Sequence, residues 1–240
     1  MVILNQLTDR ILQDFEITAT IDTALCIGSG TASSSLMDKS IVRNAQGQLI
    51  IPGSHLKGRL RHECEKLARS LGWWIAESPA ADKLCPPEEQ IPQNLRQRYR
   101  VDGYSGFHCW ISQWFGDPIL PSRIVVNDLV CNYAKDELME VIRPGVAINR
   151  RRQTAEDQKL FFRETSPLNA QLNFVGSIQI YVPQVPPEDI QAIRVLMIAA
   201  LKRIDALGGS KSAGLGWLTW QLPQVQVTAE ILNRLKGERA

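Results

Sequence analysis

The residues best suited to chemistry lie in Gly208-Gly209-Ser210-Lys211-Ser212-Ala213-Gly214-Leu215-Gly216, where four glycines surround one lysine and two serines. Glycines let the backbone take positive φ and approach a ligand closely. Exposed N–H groups beside a lysine suit a phosphate. The stretch is not a nucleotide P-loop. A Walker motif requires Lys and then Ser or Thr after its second glycine, whereas Leu215 and Gly216 follow Gly214. The order is also helix, loop, strand rather than strand, loop, helix. A phosphate cradle outside the nucleotide pattern points to a nucleic-acid backbone, although a flexible αβ turn has the same composition.

Net charge is only +2, so a nucleic-acid surface must come from local clustering. Three basic clusters exist: Lys57-Gly58-Arg59-Leu60-Arg61, residues 96–100, and residues 143–152 with Arg150-Arg151-Arg152. Runs of charge are also the ordinary signature of a solvated face. The five cysteines, Cys26, Cys64, Cys85, Cys109 and Cys131, are an odd number in a chain with no visible secretory signal. Metal binding or plain burial is therefore expected before disulfides. No stretch approaches the roughly 18 apolar residues of a membrane span, and a cytoplasmic protein is expected.

The elements that must position these residues follow from periodicity. Phe15, Ile17, Ala19, Ile21 and Leu25 alternate with polar neighbours, a half-buried first strand. Leu56, Leu60, Cys64, Leu67 and Leu71 form an apolar ridge, with Ser54 as expected N-cap and an end near Gly72. Residues 73–121 carry six of the thirteen prolines and little periodicity, and read as an insertion. Residues 123–131 form the next strand, residues 132–170 a polar, Arg-rich excursion, and Leu172 to Val182 a further alternating strand. A helix after Pro186-Pro187 runs on Ile190, Ile193, Leu196, Ala200, Ile204 and Leu207, closed by the glycine loop. Leu215 to Leu222 is the last strand. The expected fold is one α+β domain over 1–240, with the βαββαβ order of a ferredoxin-like core.

Ile50-Ile51-Pro52-Gly53-Ser54-His55-Leu56-Lys57-Gly58-Arg59-Leu60-Arg61 resembles the "IPGSSLKGxLR" segment of the RAMP superfamily. The terminal glycine loop is similar to that superfamily's C-terminal glycine-rich signature. Trp114-Phe115-Gly116-Asp117 followed by residues 122–128, residues 154–164, and Asp38-Lys39-Ser40-Ile41-Val42-Arg43 resemble segments of one branch. That branch is the backbone subunit of type III CRISPR effector complexes. The resemblance runs from about Asp14 to Leu222.

The resemblance implies an RNA-recognition-type fold, with guide RNA, target RNA and other effector-complex subunits as partners. It implies that Ser54, Lys57, Arg59 and Arg61 of the helix, with Gly209, Lys211, Ser212 and Gly214 of the loop, hold the guide backbone. It implies a thumb over residues 132–170, with Arg150, Arg151 and Arg152 on phosphates and Pro144, Val146 and Ile148 as apolar wedges. Relatives carry zinc ligands in the insertion, so Cys85, His108 and Cys109 with His62 or Cys64 are an expected zinc set. His62 and Cys64 stand about 200° apart around a helix, so both cannot easily ligate one ion. Asp38 is the expected Mg²⁺-binding, target-cleaving carboxylate, since Thr31 stands where relatives carry an aspartate; a catalytically silent subunit is the other outcome. Two further readings remain open. One is a free-standing guide-processing nuclease of the same superfamily, using His55 or His62. The other is a zinc-dependent metabolic enzyme around Cys85, His108 and Cys109.

Overall fold

The computed structural model describes residues 11–28, 40–77, 81–84, 87–133, 141–181 and 186–236. In chain order the elements are β1 (Ile11–Ile21), β2 (Ile50–Ile51), α1 (Gly53–Ser70), α2 (Ala81–Leu84), α3 (Trp110–Phe115), β3 (Ile124–Val126) and β4 (Leu129–Cys131). There follow β5 (Val141–Asn149), β6 (Thr154–Thr165), β7 (Leu172–Tyr181), α4 (Pro187–Leu201), β8 (Leu218–Gln221) and α5 (Ala229–Leu235).

The alternation in β1 turns Phe15, Ile17, Ala19 and Ile21 into the core. With both edges paired, to β7 on one side and β8 on the other, β1 sits inside an antiparallel sheet of order β2-β4-β7-β1-β8. β3 also pairs with β7, beyond β4. Helices α1 and α4 pack against each other, and α1 also meets β3. This mixed α+β arrangement is compatible with the expected ferredoxin-like order. β5 and β6 pair only with one another among the described residues, as a hairpin with a sheet of its own.

Four boundaries differ from expectation, each for a tertiary reason. Regular pairing of the first strand stops at Ile21, because the chain turns where Asp22 N donates to Trp217 O at 2.8 Å. Residues 123–131 are two strands rather than one, because Asp128 leaves the ladder to accept from Gly53 N at 2.7 Å. Ser54 is not the helix cap. Pro52 holds that position, Ser54 is exposed within the first turn, and the Asp128 carboxylate bonds the helix end. Helix α4 ends at Leu201 rather than at the glycine loop; Ile204 and Leu207 stay buried, with Leu207 N bonded to Gly216 O at 2.9 Å.

Residues 73–121 lack periodicity yet bury Trp73, Ile91, Leu95, Tyr99, Trp110 and Trp114 in the same apolar cluster as the sheet. Their core is aromatic and irregular, which helix and strand templates cannot register. No helix among the described residues is long and apolar enough to cross a membrane.

Candidate nucleic-acid interface

The glycine loop is pinned to the far end of β1 and to α1. Gly209 N donates to Cys26 O at 2.7 Å, Gly216 N to Ala24 O at 2.8 Å, and Gly208 N to His55 Nε2 at 3.2 Å. A Cβ on Gly216 would stand 1.9 Å from Leu207 O, at a φ of +76°, so the close return of the loop requires glycine there. Between its anchors the loop makes a short 3₁₀ turn, Lys211–Ala213, with Ser212, Ala213 and Gly214 exposed.

Cations surround this turn from two elements. On α1, burial and then the neighbouring Lys211 and Arg59 charges push the His55 imidazole below its ordinary value of 6.5. A neutral ring agrees with Nε2 accepting from Gly208. Burial and then Arg59 also push Lys211 down. Arg59 reaches Glu63 only at 3.8 Å, and its Nε is buried without a hydrogen-bond partner among the described residues. From the hairpin, Arg163 bonds the Ser210 hydroxyl and lies over the Phe161 ring at 4.6 Å. The register sets Arg143 opposite Arg163, and both line a 160 Å³ hollow against Ala213 and Leu215. Like charges held this close raise the local positive potential, which favours a polyanion.

Lys57 and Arg61 turn away from this track. Lys57 Nζ donates to Ser122 Oγ at 2.7 Å and Ile124 O at 2.8 Å. Arg61 pairs with Glu65 at 2.9 Å and donates to Gly116 O at 2.7 Å. Both tie α1 to residues 112–124 instead of facing outward. Their i, i+4 spacing shows a shared face but not what that face meets. The Asp128 carboxylate likewise occupies the Gly53 N–H, so that group at the start of α1 is not open to phosphate. Arg143 and Arg163 gain their place through the hairpin register, a long-range pairing that no local pattern reports.

Arg150, Arg151 and Arg152 form the exposed turn of the β5–β6 hairpin, where Asn149 Oδ1 accepts from Arg151 N and Arg152 N, both at 3.1 Å. Val146 and Ile148 are 50% and 64% exposed, so the hairpin does present apolar side chains near that turn. Arg150 lies seven residue steps along the hairpin from Arg143, roughly 23 Å, so the turn does not belong to the glycine-loop cluster.

Asp38 lies outside the described residues. The residues flanking its segment do not: Gly28 and Ile41 form an antiparallel bridge, and Ile41 N donates to buried Glu164 at 3.0 Å. Gly28 is two residues from Cys26, the anchor of the glycine loop. The described residues that flank positions 29–39 thus stand beside the loop.

Four of the expected zinc ligands, His62, Cys64, His108 and Cys109, lie among the described residues. His108 Nδ1 meets Asp117 Oδ2 at 2.5 Å and His108 Nε2 meets Ser105 O at 3.2 Å, so both ring nitrogens are engaged. Burial alone would raise the Asp117 carboxyl, but the His108 bond and the N–H groups of Leu120 and Ile119 outweigh it and hold it low. Cys109 Sγ donates to Ser112 Oγ at 3.4 Å. Cys64 is fully buried, its thiol pushed far up by burial and by Glu65 and Glu63, whereas His62 is exposed on the outer face. Cys85 lies outside the described residues. Among the described residues no three His, Cys, Asp or Glu side chains gather to hold a metal ion.

A family model of the RAMP superfamily matches residues 18–219. The match runs from the last four residues of β1 into β8, glycine loop included. No curated protein matches the chain.

Proposed function

The chain belongs to the RAMP superfamily, and on that premise we propose that it is an RNA-binding, CRISPR-associated protein that serves as the guide-binding backbone subunit of a type III effector complex. The observation that carries this reading is the glycine loop, stapled to β1 and His55 and ringed by Arg59, Lys211, Arg163 and Arg143. Backbone N–H groups and guanidinium forks bind phosphate oxygens and leave base edges unread, so binding is sequence-tolerant. Gly209, Ser212 and Gly214 lend the close approach, and Ser54 stands exposed on the first turn of α1. Lys57 and Arg61 brace the helix from behind.

Arg59→Ala with Lys211→Ala is expected to weaken RNA binding equally for unrelated sequences. The salt slope of log K against log[salt] should fall by about 0.7 for every phosphate no longer neutralised. Lys57→Ala should lower stability and leave that slope alone. An unchanged slope in the Arg59, Lys211 double variant refutes the assignment.

Target cleavage in this reading belongs to Asp38, a short carboxylate of the kind that holds Mg²⁺ with most of its water retained. The bound cation would supply charge neutralisation at the scissile phosphate. In the assembled complex, Asp38→Ala should abolish cuts at this subunit while target affinity is unchanged. Cuts that persist would assign the step to another group.

A further inference from the structure

A cleft rich in arginine lies at the opposite end of the fold from the glycine loop. Strand β1 begins where Ile11 pairs with Tyr181, and Tyr181 N donates to Arg123 O at 2.8 Å. The glycine loop is anchored beyond the other end of that strand. The fifteen residues of α4, about 22 Å of helix, run from the first end toward the second. At the first end a cleft of 320 Å³ opens between the insertion and the helices α4 and α5, lined by Arg98, Trp110, Trp114, Arg123, Asp189 and Arg234.

Its guanidinium groups are held in place by aromatic faces. Arg98 lies over the Trp73 ring at 4.3 Å, Trp73 stacks on Trp110 at 4.7 Å, and Arg123 lies over Trp114 at 5.8 Å. Trp110 and Trp114 are one turn apart on α3, so their order along the helix spaces the two cations. A stacked guanidinium keeps its N–H edge free and oriented for a bidentate oxyanion. Arg234 is satisfied by Glu188 at 3.1 Å and Asp189 at 3.6 Å. Arg98 and Arg123 have no carboxylate partner among the described residues. Arg123 is half-buried as well, which lowers its pKa. A partly dehydrated cation without a counter-charge is unfavourable until a ligand supplies one.

We propose that this cleft binds a phosphate monoester of mononucleotide size through Arg98 and Arg123. A dianionic phosphate matches two unpaired guanidinium groups in charge, and its three terminal oxygens serve two forks. Trp110 and Trp114 are only 7% and 2% exposed, so recognition falls on the guanidinium edges rather than on stacking of a base. The volume suits one nucleotide, near the small end of the roughly 300–1,000 Å³ range of ligand sites. The phosphate can come from a free nucleotide or from the 5′ end of an RNA.

Calorimetric titration of the full chain with 5′-AMP, with adenosine, and with a short RNA bearing or lacking a 5′-phosphate tests this. One 5′-AMP per chain is expected and no adenosine, while the 5′-hydroxyl RNA reports only the glycine loop and the 5′-phosphorylated RNA is expected to bind more tightly than it. Arg98→Gln, at an exposed position, should weaken binding about tenfold or more with no change in melting temperature. Arg123→Lys, which keeps charge but loses the fork, should do the same. Neither change should alter the RNA salt slope set by Arg59 and Lys211. A gain of phosphorylated over 5′-hydroxyl RNA that Arg98→Gln removes identifies an RNA terminus as the source of the phosphate, and 5′-AMP binding without that gain identifies the free nucleotide. The proposal is overturned if folded wild-type protein binds no 5′-AMP and shows no such gain, if adenosine binds as well as 5′-AMP, or if both substitutions leave affinity unchanged.

Discussion

At the residue scale, Gly53 positions the whole first helix by what it lacks. A Cβ there would lie 2.0 Å from Val126 O and 3.0 Å from Asn127 C, both backbone atoms that cannot rotate aside. The missing methyl lets α1 begin directly against the β3–β4 break, where Asp128 bonds Gly53 N. Gly53→Ala must separate the helix from the strand. Overpacking of this kind typically costs about 1–3 kcal/mol, and a chain of this length loses roughly 2–4 °C of Tm per kcal/mol. A thermal melt of the variant reads the effect directly, and an unchanged Tm would mean the close approach is not needed. His55 obeys the same local logic. Its folded pKa is depressed, so its bond to Gly208 N is fully present above the ordinary value of 6.5 and is lost as pH falls through the lower, folded value.

At the scale of elements, the β5–β6 hairpin joins two basic features of different kinds. Its base places Arg143 and Arg163 against the glycine loop, while its turn carries Arg150, Arg151 and Arg152 away from it. Those three arginines are exposed and have no ion pair among the described residues. Replacing all three with Ala should leave Tm nearly unchanged, since exposed substitutions away from special features stay within about 0.5 kcal/mol. RNA affinity should fall, with the salt slope reduced by about 0.7 for each phosphate that an arginine had neutralised. If affinity and slope match wild type, the turn is a solvated face and the apolar pair Val146 and Ile148 has no wedge role to support. Helix α1 shows the complementary lesson: its i, i+4 pair Lys57 and Arg61 serves packing, and Arg59 between them serves the loop.

Across the whole molecule, how much the amino-acid order reveals depends on the range of the interaction. Period-two alternation places β1 and β7, an i, i+4 ridge places α1, and the glycines locate the loop, because each pattern reports local geometry that repeats along the chain. The insertion is legible only as an irregular stretch. Its aromatic cluster of Trp73, Trp110 and Trp114 joins residues some forty positions apart, and no period records that. The His108–Asp117 pair is equally hidden: the sequence presents His108 beside Cys109 as candidate ligands, whereas burial commits the ring to a carboxylate. Amino-acid order alone determined the α+β class, the principal strands and helices, and the place of the glycine loop at residues 208–216. Only the tertiary structure decided which cations reach that loop. A side chain's charge follows from its type, but its direction follows from the partners that desolvate and bond it, and those partners come from distant parts of the chain.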